Sequence, residues 1–311
     1  MYFIILLIIF ANLIDICYSY SKNIINIKSN DGLMIKTVYR IPKKPKKPPL
    51  VFIHGSNAGN WIFKENWLKF FSKNGWPSYA ISMRGSFESG TLDGKKTVNF
   101  QEHYSDLKDV INYFNSTIEK PIVIAHSYGG LVLTKVLEDL KYRNLIRGAV
   151  WVSSLPPSGE RFLLVRILFR LNIFKIIPAV LKGNLDDKIY RDKFIFYNKC
   201  TNDKDIKRFN NLFDLDSKIK LNLSSINSDL PNNTKFKNEN LWTDSRKLVI
   251  GSYDDFILDR FSVRETANLI NTKNIEFLRN SGHNMMLDSC WRNVAYKILN
   301  YIEEWRLIKF E

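Results

Sequence analysis

The sequence predicts an α/β fold, a predominantly parallel sheet with helices on both faces. Three observations carry this. Uninterrupted apolar runs such as residues 50–53, 122–125 and 148–152 are what strands buried on both sides look like. These runs alternate with longer segments of helical periodicity, the pattern of parallel strands joined by crossover helices. Finally, 311 residues, 45% hydrophobic and 25% charged with no internal repeat, suffice for one large core.

The first residues stand apart from that core. Positions 2–13 are almost wholly apolar, and Asp15, Cys17 and Ser19 then break the run. The apolar stretch is shorter than the roughly 20 residues that span a bilayer, and small residues stand where a signal peptidase cuts. Residues 1–19 are therefore expected to be a signal peptide, with an uncleaved membrane anchor as the alternative because no basic residue precedes the run. Either way the chain enters the secretory pathway. N-glycosylation patterns at Asn115, Asn222 and Asn232 are compatible with that route but carry little weight in a chain so rich in Asn.

Residues 20–311 are expected to form the folded domain. Strands at 24–27 and 34–39 flank a turn at Asn30, Asp31 and Gly32, so the sheet begins as an antiparallel hairpin. Lys43, Lys44, Lys46 and Lys47, threaded with Pro42, Pro45, Pro48 and Pro49, make an extended linker. Strand 50–53 ends in His54 and Gly55, and a helical pattern through Trp61, Phe63, Trp67, Leu68 and Phe71 follows. Then come strand 78–82, helix 105–115, strand 122–125, helix 129–140 and strand 148–152. About ninety residues without a clear strand precede the next, at 247–250, and are read as a mainly helical cap, about 155–243, inserted in the sheet. In its first part, 161–177, Arg166 and Arg170 share a helical face while Arg161 and Lys175 lie opposite, so no single basic stripe forms. That helix is expected to pack on the core instead of lying on a membrane. Helix 263–270, strand 275–278 and helix 289–305 end the chain.

Charge and cysteines narrow the function classes. There are 46 Lys and Arg against 31 Asp and Glu, a net +15, which attracts polyanions. The lysines are spread along the whole chain and accompany no recognition motif, so nucleic acid is not an expected partner. Of three cysteines, Cys17 would leave with the signal, leaving Cys200 and Cys290 for at most one bridge. No paired Cys or His spacing suggests a metal site, and no cofactor is expected.

The chemistry gathers where strands end. Ala125, His126, Ser127, Tyr128, Gly129 and Gly130 lie between an expected strand and an expected helix. A sharp strand-to-helix turn lifts a Ser hydroxyl above the sheet when small residues flank it two before and two after, as Ala125 and Gly129 do. A serine hydroxyl needs a base in reach and a carboxylate to orient that base. Of four histidines, His54 follows the third strand, His126 sits inside the turn and His103 lies ahead of a helix on the N-terminal side. His283, just after the last strand, remains as the base. Asp254 and Asp255 follow strand 247–250 and are both candidates for the acid. An oxyanion would take two backbone N–H groups, one from Tyr128 directly after Ser127 and one from Ser56 after His54 and Gly55; the bland alternative for His54 and Gly55 is a tight structural turn.

With these residues in hand, the chain resembles the α/β-hydrolase superfamily of serine esterases and lipases, lysophospholipase-like members included, over about residues 30–305. His54-Gly55-Ser56 through Trp61 looks like their oxyanion loop, Met83-Arg84-Gly85 like the turn after the next strand, and His283 to Leu287 with Asp288 and Trp291 like their histidine loop. The resemblance implies an eight-stranded, predominantly parallel sheet, a lid after its sixth strand, the chain order Ser, Asp, His, and cofactor-free hydrolysis through an acyl-enzyme. In such enzymes the acid usually stands one residue apart from an aliphatic side chain, which favours Asp255 with Ile257 over Asp254. Ala125 departs from the family's usual Gly. The function implied is cleavage of a lipid or small acyl ester, with peripheral membrane contact as a further expectation. Thioesterase, amidase, cofactor-free haloperoxidase or lyase chemistry, or a non-catalytic ligand-binding role, are the alternatives, and Ser127 in place of Asp argues against alkylated-carboxylate chemistries.

Overall fold

Each buried strand sorts its side chains by alternation. Leu50 and Phe52 enter one hydrophobic cluster and Val51 and Ile53 the other, and Ile122 and Ile124 part from Val123 and Ala125 in the same way. A sheet apolar on both faces must be covered on both, which fixes a three-layer architecture. The computed structural model of the chain describes residues 23–86, 88–170, 203–214, 216, 219–232, 236 and 246–307. Expectations for residues 1–19, for Cys200 and for much of the segment 171–243 fall outside these.

The strands are β1 (Ile24–Lys28), β2 (Met34–Arg40), β3 (Leu50–Ile53), β4 (Ser78–Ile81), β5 (Thr97–Val98), β6 (Ile122–His126), β7 (Gly148–Val152), β8 (Lys220–Leu221), β9 (Lys247–Ser252) and β10 (Ile275–Leu278). Eight of them form the main sheet in the order β1-β2-β4-β3-β6-β7-β9-β10. The β1–β2 and β2–β4 pairs are antiparallel, and every pair from β4–β3 to β9–β10 is parallel. The helices are α1 (Trp61–Lys64), α2 (Trp67–Lys73), α3 (Phe100–Thr117), α4 (Tyr128–Val136), α5 (Leu140–Asn144), α6 (Glu160–Arg170), α7 (Asp203–Asp214), α8 (Leu223–Asn227), α9 (Arg260–Leu269) and α10 (Trp291–Leu307).

Helices α3, α4 and α9 supply Leu107, Val110, Leu131, Val132 and Val263 to one face. Helices α1, α2 and α10 supply Phe63, Trp67, Phe71, Ile298 and Ile302 to the other. There Phe52 sits 5.2 Å from Phe63, 6.1 Å from Trp67 and 5.6 Å from Phe71 between ring centres. Such pairs are worth about 0.5–1.5 kcal/mol each beyond the area they bury. Helix α6 packs on the core through buried Leu163, with Ile167 against the same cluster, and its Arg166 pairs with Asp259 at 2.7 Å.

Three local expectations are corrected. The interruption between β7 and β9 contains a strand, β8, which pairs in parallel with β5; two residues are too few to leave a periodicity. The helix expected over 129–140 ends at Val136, because Asp139 starts a new one by accepting the Lys141 N–H at 3.0 Å. Helix α3 begins at Phe100, five residues earlier than the expected 105, so His103 lies inside the helix and not ahead of it.

Candidate active site

In parallel α/β sheets ligands gather outside the carboxyl ends of the strands. Here His54 follows β3, Arg84 follows β4, Ser127 follows β6, Asp255 follows β9 and His283 follows β10. Five loops therefore converge at one end.

Ser127 is the residue before α4 and holds φ 52°, ψ −124°, a conformation that costs a non-glycine residue about 1–3 kcal/mol. Its N–H donates to Val152 O at 3.1 Å, and its carbonyl accepts from Gly130 N and Leu155 N, each at 2.9 Å. The turn needs little bulk around it. A Cβ on Gly129 would lie 2.4 Å from the His54 carbonyl oxygen, and one on Gly55 would lie 2.8 Å from the Ser127 Cβ and 3.2 Å from its Oγ. The Gly55–Ser56 backbone thus passes directly beside the serine hydroxyl. Tyr128 N, the first amide of α4, stands at the positive end of that helix.

The His283 Nε2 lies 3.0 Å from Ser127 Oγ, and its Nδ1 lies 3.0 Å from Asp255 Oδ2. The other oxygen of Asp255 accepts from Ile257 N and Leu258 N, both at 2.9 Å. Burial alone would raise this carboxyl, but the His283 ring and the bonds it accepts hold it below the ordinary carboxylate range. Asp255 is thus an anion, so Nδ1–H donates to it and Nε2 is left to accept the Ser127 hydroxyl proton. Asp254 faces away and accepts the Asn280 N–H at 2.7 Å.

The other three histidines are buried and neutral, and each braces one wall of this site. His126 donates from Nε2 to the His283 carbonyl at 3.0 Å, with its ring 4.8 Å from the His283 ring; burial, with the His283 ring beside it, brings it down to about 3. His54 accepts the Met83 N–H on Nε2 at 2.9 Å and donates from Nδ1 to Gly55 O at 2.7 Å, tying β3 to the turn after β4. His103 donates from Nε2 to Arg84 O at 2.9 Å and takes the Tyr128 hydroxyl on Nδ1 at 2.8 Å. Burial lowers both His54 and His103 to about 4. It pushes the Tyr128 phenol well above its ordinary value, so that hydroxyl stays a donor.

Beneath His103, Arg84 holds Asp106 through Nε at 2.7 Å and through Nη2 at 2.5 Å, and Asp31 at 2.8 Å. The Arg84 hydrogen bond draws Asp31 down to about 2. A narrow cleft of about 40 Å3 opens beside Ser56, between Arg84–Ser86 and a wall of Ile219, Lys220 and Leu221. Among the described residues no group of three His, Cys, Asp or Glu side chains is placed to hold a metal.

Sequence reasoning named Ser127, His283, both aspartates, Ser56 and Tyr128. It missed the bracing roles of His103, His126 and Arg84. For His103 a signal existed. Asn99 and Glu102 are spaced as a capping box, and the Asn99 N–H donates to Glu102 Oε2 at 2.9 Å, which starts α3 early enough to carry His103 inward.

Among solved structures, an esterase from Exiguobacterium antarcticum superposes with a TM-score of 0.64 at 16% identity, over 89% of this chain and 98% of its own. A bromoperoxidase from Bacillus anthracis gives 0.65 at 13% identity, over 90% and 99%. A membrane phospholipase A described as a bacterial virulence factor gives 0.65 at 14%, over 95% and 92%. At these identities the likeness is one of fold, and the same fold carries different reactions. No curated protein sequence matches this chain. The sequence model of the alpha/beta hydrolase family matches residues 50–295, from the start of β3 into α10 and across every loop of the site, and by that match the chain belongs to the alpha/beta hydrolase family.

Proposed function

We propose that this chain is a serine hydrolase that cleaves a carboxylic ester, of a lipid or a small acyl compound, through an acyl-enzyme. The observation that carries the reading is the continuous path of two 3.0 Å contacts from Ser127 Oγ through the His283 ring to Asp255. In the first half-reaction Ser127 Oγ attacks the ester carbonyl carbon as its proton passes to His283 Nε2. Asp255 steadies the imidazolium so formed. Negative charge on the carbonyl oxygen is taken by the N–H groups of Ser56 and Tyr128. Collapse breaks the carbon–oxygen bond, and the departing alcohol leaves with the proton from His283. A water then repeats the sequence on the acyl-serine and releases the acid. The steps as written use side chains, backbone and water.

The narrow cleft beside Ser56 is walled on one side by Ile219–Leu221, within the segment 155–243 that we take as the cap. We further take residues 1–19 as a signal peptide, or a retained anchor, that sends the chain into the secretory pathway. The disulfide at Cys290 suits that oxidising route.

A fluorophosphonate probe tests the reading, since it forms a phosphonyl bond only with an activated serine. The expected result is a single label on Ser127, and loss of both label and acyl-ester turnover in Ser127→Ala, the latter by about 10⁴-fold or more. Folded protein that stays unlabelled, or a variant with undiminished turnover, would overturn it.

A further inference from the structure

The loop that carries Asp255 also carries a surface that ester cleavage does not use. Tyr253, 46% exposed, lies against Phe277 with ring centres 5.3 Å apart. Three guanidinium groups cover this pair. Arg279 and Arg260 stand 4.9 and 5.6 Å from the centre of the Tyr253 ring, and Arg264 stands 5.8 Å from that of Phe277. Arg260 and Arg264 are one turn apart on α9 and so share a face. Phe261, beside Arg260, is 71% exposed. A groove of about 430 Å3 runs among Tyr253, Phe256, Phe261 and Arg260, with Asp255 in its wall.

Among the described residues none of the three arginines forms an ion pair, because the neighbouring acids are engaged elsewhere. Asp255 holds His283, Asp259 holds Arg166, Glu276 holds Lys297, and Glu265 accepts from Ser158. Asp254, half-buried and bonded to Asn280 N, sets one negative charge against three positive ones. Protruding aromatic rings interleaved with unpaired guanidiniums suit the boundary between water and an anionic membrane, where rings sit at headgroup depth and arginines meet phosphates. A net +15 on the whole chain favours the same approach. No helix among the described residues is long and apolar enough to cross a membrane.

We propose that Tyr253, Arg260, Phe261, Arg264 and Arg279 form a docking surface for an anionic phospholipid bilayer, which sets the groove beside Asp255 against the lipid. The proposal deepens the lipid-ester reading and rests on it for its purpose, although adsorption itself requires no catalysis.

The test uses the full chain carrying Ser127→Ala, which leaves the lipid intact, and sediments it with vesicles of phosphatidylcholine and phosphatidylglycerol in equal parts. The apolar residues 1–19 are common to every variant, so only differences between variants are read. Replacing Arg260, Arg264 and Arg279 together by Gln should lower partition onto these vesicles about a hundredfold. Phe261→Ala should lower it about tenfold, and added salt should weaken adsorption of the parent more than that of the triple arginine variant. Both variants should melt at the parent's temperature and, with Ser127 restored, turn over a water-soluble short acyl ester as the parent does. A triple variant that adsorbs as tightly as the parent overturns the proposal. So does arginine-dependent binding to polyglutamate without adsorption to vesicles, which would make the partner an acidic polypeptide. If adsorption depends on the arginines while no acyl ester is ever turned over, the docking surface stands and the hydrolase reading falls.

Discussion

Burying neutral histidines makes the fold sensitive to mild acid, and His103 allows the effect to be isolated. Its ring is enclosed between Arg84 O and the Tyr128 hydroxyl, and burial lowers it from 6.5 to about 4. Between those two values the unfolded chain binds a proton that the folded one refuses, so stability rises with pH there and is lost as pH falls from about 6.5 towards 4. For a group titrating near 6.5 when unfolded and near 4 when folded, the loss between about pH 7.5 and pH 5 is about 2 kcal/mol. His103→Gln keeps one donor for Arg84 O and one acceptor for the Tyr128 hydroxyl but has no proton to take up. Whatever the substitution costs at neutral pH, the variant should lose about 2 kcal/mol less than the parent over that interval. Urea unfolding of both proteins at the two pH values measures this double difference, in which every other titrating group cancels. Equal losses in parent and variant would mean that the His103 ring is free to protonate in place, and the enclosed network described here would be wrong.

Two further outcomes are expected. Gly129→Ala places a methyl 2.4 Å from a backbone oxygen, which cannot swing aside as a side chain would, and should lower stability by about 1–3 kcal/mol, read as a fall in the urea midpoint. Asp255→Asn should cut acyl-ester turnover by about 10⁴-fold, while Asp254→Asn, which loses only a bond to Asn280 N, should change it by less than about threefold; the reverse ranking would assign the acid to Asp254.

What the sequence discloses divides along physical lines. Strands β3, β6 and β7 were legible because burial on both faces demands apolar residues at every position, and their ends then mark where loops must carry the chemistry. Ser127 and His283 were legible because a strained turn tolerates few neighbours and only four histidines compete. The choice between Asp254 and Asp255 is not a matter of composition. It depends on a turn after β9 that sends one carboxylate inward to the N–H groups of Ile257 and Leu258 and the other outward to Asn280. The cluster of Arg84 with Asp31 and Asp106 joins positions far apart in the chain, and nothing local foretells such pairings. The docking surface was equally hidden, since Tyr253, Phe277 and Arg279 meet only because β9 and β10 are neighbours.

The strain at Ser127 explains why so much buried polarity surrounds it. A backbone held about 1–3 kcal/mol above its relaxed state persists only if its surroundings over-determine it. Two lines of support meet there. The backbone bonds to Val152, Gly130 and Leu155 fix the turn itself. The neutral rings of His54, His103 and His126 fix what the turn faces: the Gly55–Ser56 loop, the start of α4 and the His283 carbonyl. Each ring joins two elements through a proton it holds on one nitrogen and a lone pair on the other, or through a single donated bond in the case of His126. Protonation would add a donor where His54 and His103 now accept. The pH sensitivity of the fold and the geometry around Ser127 therefore have one origin, and a substitution that relieves the first without replacing both bonds should loosen the second.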